Sequence, residues 1–355
     1  MSAASVVSRR NVPVDAAKTV AIFGTLLIHA SAAGGFSGPV GSFGWTGALF
    51  WNSLIRCAVP VFFLCSGALL LPTEKPVTVE TVWKKYIPRI FIALMFWAAA
   101  YGGWSLLLGW RRTGVWELTA IRKTLGDLVM FRHKSHLYYL HVILLVYALL
   151  PVTRLFVEKA DRQLLRYALA VWFVLGSLFP LLRAFPPLSG LTGIPVQYAI
   201  NLTWGAVGYG LLGHVLTGEA KKHSPVTFVL VYLAGFVLTF GGTLLLSLRA
   251  DALVQTFLQG TAPGVCLQAA GIYGFCVSAF SGKEKLPAVE TISKASFCIY
   301  LVHLFFLDTL TGRGIAAGVY PPIWAAPAIA LVLFAAGFAV WLVLRRIPLV
   351  NRYLI

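Results

Sequence analysis

An unbroken apolar run of about 20 residues leaves a chain few choices. At about 1.5 Å per residue a helix of that length crosses a hydrocarbon core roughly 30 Å thick, and in lipid a lone segment satisfies its own backbone only as a helix. Such runs recur here at 15–33, 47–71, 89–110, 135–157, 164–185, 196–217, 225–248, 260–281, 293–312 and 321–344, bounded by Pro, Gly and charge clusters. With 59% hydrophobic and 12% charged residues over 355 positions, the composition fits no soluble domain of this size. The sequence therefore predicts an all-α, polytopic membrane protein of about ten transmembrane helices, forming a single membrane domain over 1–355 without a soluble domain. The short alternating runs of an outer-membrane barrel are absent from the sequence.

The first run follows Arg9 and Arg10 and ends in the small residues Ala30 to Ala33, as a cleaved secretory signal would. Asp15 and Lys18 at its start, and nine further runs behind it, argue for a spanning helix instead. Dividing the 29 Lys and Arg by side puts 18 with the termini, nine on the other side and two, Lys18 and Arg56, inside the membrane. The excess of positive charge marks the cytoplasmic side, so both termini are expected there, with the inner (plasma) membrane as the location.

Six of the nine outer cations fall in one loop, 111–134, where Trp116, Ile121, Leu125, Leu128 and Val129 recur at roughly helical spacing. This predicts an interfacial amphipathic helix that anchors in lipid headgroups or holds an anionic lipid or glycan. The net charge of +17 implies no nucleic acid partner, since positive loops are ordinary topology determinants. Cys57, Cys65, Cys266, Cys276 and Cys298 lie inside predicted spans without CxxC spacing, and predict neither a disulfide framework nor a metal site. The sequence leaves oligomeric state open, a homo-oligomer included.

Charges at bilayer depth cost several kcal/mol, on the order of 3 on insertion scales, so the intramembrane polar residues point to function. Lys18 and His29 are eleven residues apart, about 20° beyond three full turns and about 16 Å along the axis, and share one helix face. Arg56 sits in the second run with Pro60 and the pair Ser66-Gly67. Lys84, Lys85 and Arg89 crowd the start of the third, as a phosphate site or as topology signals. His136, Tyr138, Tyr139 and His141 begin the fourth, and Ser296, Tyr300 and His303 form one stripe on the ninth.

These residues resemble the membrane acyltransferase-3 family. The first run matches its "D-x-x-[RK]-x10-H" with Asp15, Lys18 and His29; the second matches "R-x-x-V-P-x-F-F-x-x-S-G" with Arg56, Val59, Pro60, Phe62, Phe63, Ser66 and Gly67. "HLYYL", "VGYGLLGH" and "SFCIYLVH" resemble the later motifs "HLWYL", "GYFLLGY" and "SxxIYLxH" in order. Where the family often has "R-x-x-R", this chain has Tyr86-Ile87-Pro88-Arg89, with Lys85 one position away.

The resemblance implies an O-acyltransferase similar to the enterobacterial common antigen O-acetyltransferase type. It would take an acyl group, on family precedent acetyl, from cytoplasmic acyl-CoA as co-substrate to a hydroxyl of an extracytoplasmic or lipid-linked glycan, without a metal. Lys18, Lys84, Lys85 and Arg89 would hold the phosphates of CoA. His29 would serve as general base or acyl carrier, and Arg56 would stabilise the oxyanion. His136, Tyr139, Tyr300 and His303 would bind and orient the acceptor or relay protons. Relatives with an extra hydrolase-like domain complete transfer there; here the membrane domain, or a partner, is expected to do so. The main alternative is a proton-coupled transporter, though 1–160 and 190–355 show no matching broken-helix motifs. A non-catalytic envelope sensor or assembly component is the other.

Overall fold

The computed structural model describes residues 11–74 and 77–355; Arg9, Arg10 and Lys75, three of the cations counted for orientation, lie outside them. Among the described residues there are helices and no strands. The first helix, α1 (Val12–Ala32), opens on Asn11, whose side-chain oxygen accepts a hydrogen bond from the Val14 amide at 3.2 Å, with Pro13 in the first turn. It runs through the middle of the molecule, packed by the second span and by the last three helices of the chain.

The second span is broken into α2 (Phe43–Leu54) and α3 (Ala58–Leu70). Pro60 explains where. It lacks the N–H that would bond the carbonyl of residue 56, and its ring clashes with that carbonyl, so the helix stops around Arg56 and restarts with Pro60 in the first turn of α3. The freed carbonyls need donors at membrane depth. Gln268 Nε2 supplies one to Ser53 O at 2.8 Å, and Tyr232 Oη supplies another to Leu54 O at 2.6 Å.

A π-helical turn, Val82–Tyr86, leads into α4 (Ile87–Thr113), which ends at Gly114 in the left-handed region (φ 72°), where glycine carries no Cβ penalty. The outer loop forms α5 (Leu118–Val129), an amphipathic helix shorter than the 111–134 expected, because α4 continues through Thr113. The fourth span is α6 (Tyr138–Ala148) and α7 (Leu150–Lys159), bent by 52° at Pro151. Next come α8 (Arg162–Phe173), extended by a π-helical turn toward Leu182, then α9 (Leu202–Glu219), α10 (Pro225–Ala250), α11 (Pro263–Phe280), α12 (Pro287–Thr311) and α13 (Pro322–Leu344).

Eight of the ten expected spans are helices long and apolar enough to cross a membrane, and the bent fourth makes nine. The sixth expected span, α9, is too polar by that measure. Its buried residues include Gly205, Gly208, Gly210 and Gly213, which suit burial between helices and add little hydropathy. A Cβ on Gly213 would strike the Leu64 backbone, and one on Gly67 the Gly210 backbone, so these glycines let α3 and α9 approach closely. Yet α9 traverses the bundle beside α11 in the same direction: Tyr209 Oη lies 3.1 Å from Cys266 Sγ, and Thr217 Oγ1 lies 2.8 Å from Tyr273 Oη.

Both ends of the described chain share one end of the bundle. Ser293 Oγ donates to Asp15 Oδ1 (2.6 Å), Arg89 Nη2 to Ile355 O (3.0 Å) and Trp97 Nε1 to Leu354 O (2.9 Å). That requires an even number of crossings between α1 and Ile355, and nine is odd. Counting α9 restores parity.

Candidate active site

The polar residues singled out on α1, α4 and α12 meet in two places. At the end of the bundle shared by Asp15 and Ile355 is a cavity of about 370 Å³, lined by Lys18, Arg89 and Lys294 together with Ser66, Ser296, Tyr86, Tyr139, Tyr147 and Tyr300. Lys18 makes no hydrogen bond or ion pair among the described residues; Asp15 instead accepts from Ser293, and Lys18 faces the cavity. Lys294 also meets Glu290 at 2.8 Å.

Lys84 and Lys85 are not among the cavity's lining residues. Lys84 pairs with Glu80 at 2.7 Å, both side chains largely exposed, and Lys85 is exposed. The physical reason is the π-helical turn Val82–Tyr86. An i to i+5 turn holds an extra residue, so side chains before it point to a different side from Arg89 after it.

Above the cavity, Tyr139 and Tyr300 form its inner wall, ring centroids 5.5 Å apart, with Tyr139 stacked on Phe63 at 5.2 Å. Behind them stand three imidazoles. His29 lies 5.0 Å from His303, and His303 lies 5.3 Å from His136, between ring centroids. Tyr300 Oη donates to the His136 carbonyl, which ties α12 to the start of α6. His303 Nδ1 lies 2.6 Å from the carbonyl oxygen of Tyr300. A carbonyl only accepts, so Nδ1 carries the proton and the neutral ring leaves Nε2 as an acceptor. That Nε2, and both nitrogens of His136, are buried without a hydrogen-bond partner. Buried polar atoms normally find partners, so three orphans in one cluster mark a place built to receive hydrogen-bonding groups from elsewhere.

Arg56 sits at the α2–α3 break without a carboxylate. Its Nε donates to Leu258 O at 2.6 Å and its Nη1 to Asn52 Oδ1 at 3.1 Å, leaving three of five N–H groups free of protein hydrogen bonds. Asn52 donates in turn to Ile28 O (3.2 Å) and Ser31 Oγ (3.3 Å), on either side of His29. The guanidinium and the imidazole are thus held against each other through one amide.

Several of these residues escaped sequence reasoning. Asn52 had a signal, its i, i+4 spacing from Arg56; Lys294 was read only as a topology cation. Tyr101, whose ring lies 4.8 Å from His136 and whose hydroxyl donates to Leu301 O (2.7 Å), had none, because α4 is apolar around it. The five cysteines are all buried and unpaired, and among the described residues no three His, Cys, Asp or Glu side chains are disposed to hold a metal ion.

A cationic cavity that ends against a cluster of neutral-capable imidazoles, with an arginine beside one of them, has the parts of a group-transfer site. A family model described as an acyltransferase domain, the acyltransferase-3 type, matches residues 11–346, and the chain belongs to that family. No curated protein and no solved structure matches it.

Proposed function

We propose that this membrane acyltransferase takes an acetyl group from cytoplasmic acetyl-CoA and delivers it to a hydroxyl of an extracytoplasmic or lipid-linked glycan in the inner membrane, as O-acetyltransferases of the enterobacterial common antigen type do. One observation carries the reading. Both α1 and α12 contribute a cation to the cavity (Lys18, Lys294) and, eleven and nine residues further on, an imidazole to the cluster (His29, His303). The axial separations are about 16 and 14 Å, a reach suited to a pantetheine arm with its phosphates at the mouth. At about 370 Å³ the cavity is smaller than a whole CoA, so the nucleotide end would rest outside.

In this scheme the acceptor hydroxyl attacks the thioester carbonyl while His29 Nε2 or Nδ1 takes its proton. A C–O bond forms, the C–S bond breaks, and the proton passes to the departing thiolate, giving ester and free CoA thiol. The free N–H groups of Arg56 would bind the oxyanion of the tetrahedral intermediate. His303 Nε2, an acceptor 5.0 Å ring to ring from His29, would orient that imidazole or share its proton, and His136 and Tyr139 would position the acceptor and donor arms.

Donor binding tests the assignment. With purified protein in nanodiscs, Lys18→Ala and Arg89→Ala should each weaken acetyl-CoA binding about tenfold, the order of one charge-assisted contact. Lys84→Ala, whose side chain lies outside the cavity, should leave binding unchanged. Equal binding by all three variants and the wild type would remove the cavity as the donor site.

A further inference from the structure

A second recess lies on the far side of the ring cluster. It is a cleft of about 450 Å³ between α4 and α5, floored by Tyr101, walled by Gly103, Lys123 and Asp127, and rimmed by Arg132 and Lys134. Lys134 pairs with Asp308 at 2.7 Å near the end of α12, while Lys294 near its start lines the cationic cavity. The two recesses therefore sit toward opposite ends of the bundle, about 21 Å apart along α12.

The charges of the cleft do not cancel. Lys123 is neutralised by Asp127 (2.6 Å) and Lys134 by Asp308, but the Arg132 guanidinium has no ion pair or side-chain hydrogen bond among the described residues. Its floor is thin as well: the Tyr101 ring packs 4.8 Å from His136, whose two ring nitrogens are buried without partners. An anion-binding group at the rim and unmet hydrogen-bonding capacity one ring beneath the floor suit a ligand with a negative charge at one end and hydroxyls at the other.

We propose that this cleft is the acceptor site, and that it selects a saccharide bearing an anionic group, a carboxylate or a phosphate, gripped by Arg132. The proposal rests on the acyl-transfer reading and extends it by naming the acceptor class. Arginine presents a fork of donors matched to both anions. A phospholipid headgroup would need only the exposed rim; a recess whose floor touches the histidine cluster serves a ligand whose hydroxyl must go inward.

The test is equilibrium binding to the full chain in phosphatidylcholine nanodiscs, without donor, so that the readout does not depend on acyl transfer. Three labelled probes are compared: a uronic-acid tetrasaccharide, a neutral tetrasaccharide, and the neutral one on a polyprenyl diphosphate. At least one anionic probe should bind about tenfold tighter than the neutral saccharide. The winning probe identifies the source of the charge, sugar carboxylate or carrier phosphate.

Arg132→Gln should erase that preference, whereas Arg313→Gln, outside the cleft, should keep it. Gly103→Trp, at a position with open space around it, should weaken all three probes. Equal binding of neutral and anionic probes, or an unchanged preference in Arg132→Gln, overturns the proposal. So does displacement of the saccharides by phosphatidylglycerol in the disc, which would assign the cleft to headgroups. Binding as predicted by a protein that never transfers an acetyl group would instead defeat the acyl-transfer reading and leave the cleft standing.

Discussion

Arg56 shows how a single intramembrane charge is made tolerable. Its side chain has no carboxylate partner; it uses a backbone carbonyl on the loop before α11 and the amide of Asn52, which also bonds the backbone and side chain flanking His29. Asn52 is therefore a positioning residue, and it keeps Arg56 and His29 in register. Asn52→Ala should lower kcat about ten- to a hundredfold, the value of one hydrogen bond to a charged group, while KM for the acyl donor stays put. A matched rise in donor KM, with kcat intact, would contradict that role. At this scale the shared face of Lys18 and His29 was legible, because helical period is a local property of sequence. The approach of His29 to His303 was not, since it depends on how α1 and α12 pack across more than 270 residues of chain.

Among the elements, proline and glycine decide most. Pro60 was visible in the sequence as a mid-span proline, but the consequence, a break that presents Arg56 and frees two carbonyls, appears only once the donors on α10 and α11 are in view. The cations at the start of α4 show the opposite failure. Lys84, Lys85 and Arg89 look equivalent as a string, yet a π-helical turn between them sends only Arg89 into the cavity. Glycines in "SGALLL" and "VGYGLLGH" serve the contact between α3 and α9. Gly67→Leu, whose Cβ would meet the Gly210 backbone, should cost about 1–3 kcal/mol in a thermal unfolding series in detergent. Gly218→Leu, on the same α9 but with nothing near its Cβ, should stay within about 0.5 kcal/mol of wild type. Equal losses at both positions would mean the close approach does not matter.

At the scale of the whole molecule the chain is a bundle of helices with a cationic cavity toward one end, a charged cleft toward the other and a histidine cluster between them. Hydropathy alone found the number of crossings, and missed that α9 crosses as a glycine-rich helix buried by protein rather than exposed to lipid. Parity, from the pairing of Arg89 with Ile355 and of Asp15 with Ser293, supplies what hydropathy lacks. The arrangement assigns one task to each part: donor held at one end, acceptor at the other, and the proton handled by His29 where they meet. Incubating purified protein with labelled acetyl-CoA and a panel of lipid-linked glycans, and following the label by mass, tests that assignment most directly. Wild type should release CoA and yield an acetylated glycan, and a normally folded His29→Ala should lose roughly a hundredfold or more of that activity. Full transfer by a folded His29→Ala would contradict the account.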